Sequence, residues 1–134
     1  MLTKTMPHFQ IDYSANLEDL LDMAALCEEI RATAAGITAF PMPGIRVRAT
    51  RVDHFAMADG DPRHGFIDMS IRLREGRPEA VKQAATAAIF AALEAFVAPV
   101  MQTRSIAISV EMRDINAALS PKGGSVRSHL GAQE

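Results

Sequence analysis

Residues 66–73 read FIDMSIRL and residues 105–112 read SIAISVEM, and together with the segment between them they decide the fold. Polar and apolar residues alternate in both segments, which is typical of a β-strand with one buried face. Between them, Pro78 stands where the first turn of a helix tolerates proline, and apolar residues then recur at helical spacing up to Phe96. The stretch therefore predicts a βαβ unit, whose two strands are parallel.

The same pattern occurs earlier in the chain. Polar and apolar residues alternate over 8–13 and again over 45–52, which predicts two strands. Between them we expect an amphipathic helix that is capped by Ser14 and Asn16 and ends before Gly36. The closing strands of the two units begin 60 residues apart, since 105 minus 45 is 60. We therefore expect an α+β protein with two βαβ repeats, one four-stranded sheet and two helices on one face.

Two helices on one face leave the other face of the sheet uncovered, and an apolar uncovered face needs a partner. The predicted first and third strands carry large apolar residues on at least one face: Phe9, Ile11, Ile67, Met69 and Ile71. We therefore expect an oligomer in which sheet face packs against sheet face.

Composition limits the function. The 134 residues, 49% hydrophobic and 22% charged, fit one domain with a buried core, and a formal net charge of −2 gives no field that attracts nucleic acid. The single Cys27 forms no intrachain disulfide and no secretion signal is visible, so we expect a cytoplasmic protein. The apolar stretch 84–101 is rich in alanine and interrupted by Glu94, which favours a soluble helix and no membrane partner.

Few residues point to chemistry. The sequence lacks the HExxH, CxxC, GxSxG and GxxxxGK[ST] motifs, and its four histidines are scattered, so we expect neither a metal nor a cofactor. Cys27 falls on the apolar side of the first predicted helix, which indicates a core position.

Arginine is the more informative residue. Three arginines project from the second predicted strand, at 46, 48 and 51, and Arg77 precedes the second helix. A guanidinium group makes two parallel hydrogen bonds to a carboxylate, and a helix amino end favours the same anion. The spacing fits a carboxylate site and an ordinary solvated surface alike, and it does not decide between them.

Four sequence blocks are informative when taken together: Met6-Pro7-His8-Phe9, Phe40-Pro41-x-x-Gly44-Ile45-Arg46, Met57-Ala58-Asp59-Gly60 and Gly76-Arg77. With them, the sequence from Pro7 to about Asn116 resembles the 5-carboxymethyl-2-hydroxymuconate isomerase family of the tautomerase superfamily. The resemblance implies a tautomerase-like fold and a homotrimer. It divides the single domain 1–134 into an extension (1–6), a core (7–116) with repeats at about 7–53 and 66–113, and a tail (117–134).

The resemblance also implies an activity and its residues. Members isomerise a 2-hydroxymuconate-type dienol acid to its 2-oxo isomer in aromatic catabolism, without a cofactor. Pro7 matches the amino-terminal proline that acts as general base, while Arg46 and Arg77 match the arginines that bind carboxylates of a small di- or tricarboxylate substrate.

One departure from the family pattern concerns the amino terminus. Residues 1–5 precede Met6 here, and an internal proline nitrogen is an amide without a basic lone pair. We expect Met6 to be the physiological start and its removal to free Pro7; the alternative is that the amine has been lost. The competing functions are a non-catalytic trimeric carboxylate-binding protein, or decarboxylation or dehalogenation-like hydration on the same fold. Asp12 is a further acid whose role stays open.

Overall fold

A four-stranded sheet carries two helices in the computed structural model, which describes residues 7–131. The elements in chain order are β1 (His8–Ser14), α1 (Met23–Ala35), β2 (Arg46–Val52), β3 (Gly65–Arg74), α2 (Glu79–Met101) and β4 (Ile106–Ile115). The predicted α+β class with two βαβ repeats is confirmed. The predicted extension, residues 1–6, and the last three residues of the predicted tail lie outside the described residues.

The two repeats meet at the centre of the sheet. The strand order is β2-β1-β3-β4; β1 is parallel to β2, β3 is parallel to β4, and β1 is antiparallel to β3. His8 lies opposite Arg72, and Tyr13 lies opposite Ile67. The amino end of β1 is therefore beside the carboxyl end of β3, so that residues far apart in sequence meet at one end of the sheet.

The hydrophobic core lies between the sheet and the helices. The five apolar residues on β1 and β3 that we expected to serve an oligomer contact are fully buried there with residues of both helices: Phe9, Ile11, Ile67, Met69 and Ile71. The uncovered face instead carries the residues between them, including His8, Gln10, Asp12, Asp68 and Arg72. An apolar sheet face is therefore the wrong reason to expect an oligomer, because alternation places the apolar side under the helices.

The first helix begins later than predicted. Its amino-terminal cap is Asp22, whose carboxylate accepts a hydrogen bond from the Ala25 N–H at 3.0 Å. Ser14 is fully buried and does not cap a helix: its hydroxyl donates to Asn16 at 2.7 Å and accepts from the Phe66 N–H at 2.9 Å. Ser14 thus joins the end of β1 to β3, which sequence spacing does not indicate.

The second helix combines an apolar composition with a core position. By length and composition alone α2 is apolar enough to cross a membrane, which our reading of its alanines and Glu94 did not anticipate. Its buried residues recur every four positions and belong to the core: Ala85, Ile89, Leu93 and Val97. This spacing is that of a helix packed on a sheet.

Phe9 supports a prediction about stability. Its ring is fully buried and meets Phe40 edge to face, with ring centroids 5.1 Å apart. Phe9→Ala should lower the free energy of unfolding by about 3–5 kcal/mol, because it leaves a cavity and removes the ring contact. Denaturant unfolding at fixed protein concentration measures this. Val81→Ala, at a site 41% exposed, should change it by less than about 0.5 kcal/mol; equal effects of the two changes would refute the predicted packing.

Candidate active site

Pro7, Arg46 and Arg77 come to the same end of the sheet. Pro7 is buried directly before β1, and its carbonyl oxygen accepts a hydrogen bond from the Arg46 N–H at 3.3 Å. His8 pairs with Arg46 on one side and with Arg72 on the other, so the end of β3 also lies here. Arg77 follows β3 after a turn in which Gly76 has φ 114°, a conformation that favours glycine. Topology thus gathers residues from both repeats.

A basic row crosses the uncovered face at this end of the sheet. Arg46, His8 and Arg72 occupy adjacent register positions on three strands, and we call these three residues the basic row. Within residues 7–131, no carboxylate lies within ion-pair distance of Arg46 or Arg72. Two unpaired guanidinium groups beside Pro7 are suited to bind an anion.

Burial and the positive charges of this region disfavour the protonated form of His8. Its pKa is lowered to about 4, first by burial and then by the charges of Arg72, Arg46, Arg48 and Lys122. An Arg48 guanidinium nitrogen lies 3.3 Å from Nδ1 of His8. The imidazole is therefore neutral near pH 7, and the same potential disfavours protonation of any other amine nearby.

The lowered pKa of His8 predicts a pH dependence of stability. Because the folded protein holds this proton less tightly than the unfolded chain, stability should be full above about pH 6.5, the ordinary histidine pKa, and fall as the pH drops toward 4. His8→Gln should remove this component. Denaturant midpoints of both proteins at pH 7.5 and pH 4.5 measure this component. If the midpoint falls by the same amount between the two pH values with and without His8, the assignment is contradicted.

Arg77 lies two residues before α2 and is half-buried. Its guanidinium donates to the carbonyl oxygen of Arg74 at 3.3 Å, and burial, followed by the charge of Arg74, lowers its pKa. Arginine nevertheless stays charged at any working pH. No carboxylate of the described chain pairs with it. A bound carboxylate would relieve the repulsion between these two cations.

Two other candidate residues lie away from this end. Arg51 does not share a face with Arg46, because it is an odd number of positions away; it lies level with Tyr13 and pairs with Asp53 at 2.8 Å. Arg46 and Arg48 therefore share one face of β2, and Arg51 projects from the other. Asp12 is on the uncovered face, five residues along β1 from Pro7, and accepts from the Gln10 amide at 3.0 Å.

The remaining titratable residues have structural surroundings. Cys27 is half-buried against the core, and burial raises the pKa of its thiol, which opposes reactivity. His64 bridges Asp59 at 2.8 Å and Ser105 at 2.7 Å, where it joins a loop to the start of β4. Among residues 7–131 no three His, Cys, Asp or Glu side chains are grouped to hold a metal ion.

Sequence reasoning missed Arg72 and Lys122. Arg72 lies on the polar side of β3, and an antiparallel alignment of the two central strands would have placed it beside His8. Lys122 reaches this region from the predicted tail, and its spacing gives no such signal.

Comparison with known proteins extends over nearly the whole chain. The family model for 5-carboxymethyl-2-hydroxymuconate isomerase matches residues 7–130. The 5-carboxymethyl-2-hydroxymuconate Delta-isomerase of Escherichia coli is 30% identical over 123 residues, covering 92% of this chain and 98% of that protein. A crystal structure of a 5-carboxymethyl-2-hydroxymuconate delta-isomerase aligns with TM-score 0.85 and 31% identity, over 92% of this chain and 91% of that chain.

A more distant structure extends the comparison of the fold alone. A fused 4-OT wild-type symmetric trimer aligns with TM-score 0.61 and 17% identity, over 81% of this chain and 86% of that chain. With the family match covering nearly all of the described residues, the chain belongs to the 5-carboxymethyl-2-hydroxymuconate isomerase family and has the tautomerase-superfamily fold.

Proposed function

We propose that this protein isomerises a 2-hydroxymuconate-type dienol acid, such as 5-carboxymethyl-2-hydroxymuconate, to its 2-oxo isomer in aromatic catabolism. Family membership supports the reaction class. The observation that carries the proposal for this chain is the strand register, which brings Arg46 and Arg72 to the end of the sheet where Pro7 lies, close before Arg77; neither arginine has an ion-pair partner among residues 7–131.

Pro7 acts as the general base in this proposal, after cleavage behind Met6 leaves it as the amino terminus. A free prolyl nitrogen is a secondary amine, and nearby cations lower its pKa so that the neutral, basic form is populated near pH 7. The amine takes the proton of the substrate's 2-hydroxyl group and returns a proton to a distant carbon of the conjugated system. One O–H bond breaks, one C–H bond forms and the enol becomes a ketone, without net oxidation.

Arg46 and Arg77 bind the substrate carboxylates in this proposal. Both are free of carboxylate partners in the described chain, and Arg77 adds the favourable dipole at the amino end of α2. Fixed guanidinium groups also stabilise the negative charge that develops on the dienolate. The reaction needs no cofactor because the proton is shuttled by the protein.

Assembly and location complete the proposal. A homotrimer is supported by the fold likeness to a trimeric protein. We place the protein in the cytoplasm, as one domain with residues 117–134 as a tail, acting on a small di- or tricarboxylate and on neither nucleic acid nor membrane.

An ultraviolet assay tests the proposed function. A chain that begins at Pro7 is mixed with 5-carboxymethyl-2-hydroxymuconate, and the product is identified by proton NMR. The proposal expects the 2-oxo isomer to form well above the rate in buffer. Carbon dioxide release or a hydrated product would indicate another reaction on this fold, and carboxylate binding without turnover would indicate a binding protein.

A further inference from the structure

A small cationic cavity lies where β3 ends and the tail begins. Its volume is about 200 Å³, and it is lined by Arg74, Ala117, Ser120 and Lys122. Two hydrogen bonds hold its wall to the end of β3. The Glu75 N–H donates to the Ile115 carbonyl oxygen at 3.1 Å, and the Glu75 carboxylate accepts from the Ala117 N–H at 3.1 Å. The tail is therefore fastened beside the candidate active site.

The cavity holds two cations, and among the described residues no carboxylate lies within ion-pair distance of either. Lys122 is half-buried, and its ammonium group donates to the carbonyl and hydroxyl oxygens of Ser120 at 2.9 and 3.0 Å. These neutral acceptors orient Lys122 but leave its charge uncompensated. Arg74 likewise has no ion pair among residues 7–131.

Two observations place the cavity near the end of the sheet that holds the candidate active site. The carbonyl oxygen of Arg74 accepts the hydrogen bond from Arg77, and the charge of Lys122 contributes to the lowered pKa of His8, the neighbour of Pro7. Arg74 and Lys122 therefore lie near the same end of the sheet as Pro7, Arg46 and Arg77.

A larger groove, between α2 and β4, has a different charge balance. It occupies about 740 Å³. Its one basic residue, Lys82, already pairs with Asp114 at 3.3 Å and Glu79 at 3.5 Å. An anion gains little there, because the cation is neutralised by two carboxylates. Of these two cavities, the small one is therefore the better suited to an anion.

We infer that Arg74 and Lys122 form a subsite for a third carboxylate, which makes the enzyme selective for tricarboxylate over dicarboxylate substrates. The inference rests on the proposed function. 5-Carboxymethyl-2-hydroxymuconate carries a carboxymethyl group besides the two muconate carboxylates. Arg46 and Arg77 bind two of these groups, and the cavity receives the third through charge-assisted hydrogen bonds. Arg74 and Lys122 determine specificity and take no part in proton transfer.

Substrate discrimination tests the subsite. In the chain that begins at Pro7, Lys122→Met should lower kcat/KM for 5-carboxymethyl-2-hydroxymuconate about 10- to 100-fold, the worth of one charge-assisted hydrogen bond. It should change kcat/KM for 2-hydroxymuconate, the dicarboxylate, by less than about threefold on the same reasoning. Lys122→Arg should retain most of the preference, and Lys82→Met, in the larger groove, should leave it intact. Equal losses on both substrates, or no loss on either, would overturn the inference.

A binding measurement separates this inference from the proposed function. Titration calorimetry with propane-1,2,3-tricarboxylate and pentanedioate needs no turnover. The unsubstituted chain should prefer the tricarboxylate, and both Lys122→Met and Arg74→Gln should reduce that preference. An absent preference in the unsubstituted chain, or one that survives both substitutions, overturns the subsite. Absence of isomerase activity alone would instead count against the proposed function.

Discussion

A chain that begins at Pro7 is expected to isomerise 5-carboxymethyl-2-hydroxymuconate about 10²- to 10⁴-fold faster than the same chain with residues 1–6 attached, which is the usual contribution of a general base. The physical reason is the state of one nitrogen atom. When Met6 is attached, the Pro7 nitrogen is an amide and cannot accept a proton; when Met6 is removed, it is an amine. Initial rates from ultraviolet absorbance, taken as kcat/KM, measure the difference.

The two chains can be compared because the hydrogen bond at Pro7 is made by its carbonyl oxygen and not by its nitrogen. That oxygen accepts from the Arg46 N–H at 3.3 Å, a contact that does not involve the proline nitrogen. Binding of pentanedioate to both chains is the control, because a matching affinity shows that the arginine site is accessible in each. If the two chains bind alike and also turn over at equal rates, Pro7 is not the base.

Loss of either proposed carboxylate-binding arginine should have the next largest effect. Arg46→Gln and Arg77→Gln should each lower kcat/KM by about 10- to 100-fold, since each removes a charge-assisted contact and leaves a substrate carboxylate without its partner. Arg77→Lys should recover only part of the loss, because an ammonium group cannot make the two parallel hydrogen bonds of a guanidinium. Steady-state kinetics with the chain that begins at Pro7 measure both.

Arg51→Gln is the matched control for these variants. Arg51 lies on the same strand as Arg46, but it is turned to the other side and paired with Asp53. Its loss removes the same charge from β2 without touching the basic end of the sheet, so kcat/KM should stay within about threefold, as for a long-range screened charge. A loss as large as that of Arg46→Gln would mean that overall charge matters and that no specific contact is made.

The strands were predictable from sequence because alternation has a period of two, which matches the pleat of a sheet. FIDMSIRL and SIAISVEM became β3 and β4 with only small shifts of their ends. Alternation shows that a strand has an apolar side but not which layer covers it, and for that reason the uncovered face was mispredicted. The start of α1 was missed because the Ser14 hydroxyl is engaged with β3, a contact with a residue 52 positions away.

Some residues of the candidate site could be proposed from the sequence, and others could not. Pro7, Arg46 and Arg77 were identified from the family resemblance, since their positions follow short blocks of sequence. The basic row depends on the antiparallel register of β1 and β3, which no local pattern encodes. The cavity around Lys122 depends on the path of a segment with few large apolar residues, and composition gives no means of placing it.

A nitrogen-15 NMR titration of the Pro7 amine, in a chain labelled at proline and starting at that residue, tests most directly whether this amine is the base. The amine should titrate with a pKa below that of the same amine in a short unfolded peptide, because the basic row disfavours its proton. That pKa should coincide with the one that governs the rise of kcat/KM with pH. An amine that titrates more than about one unit away from the kinetic pKa would show that another group takes the proton.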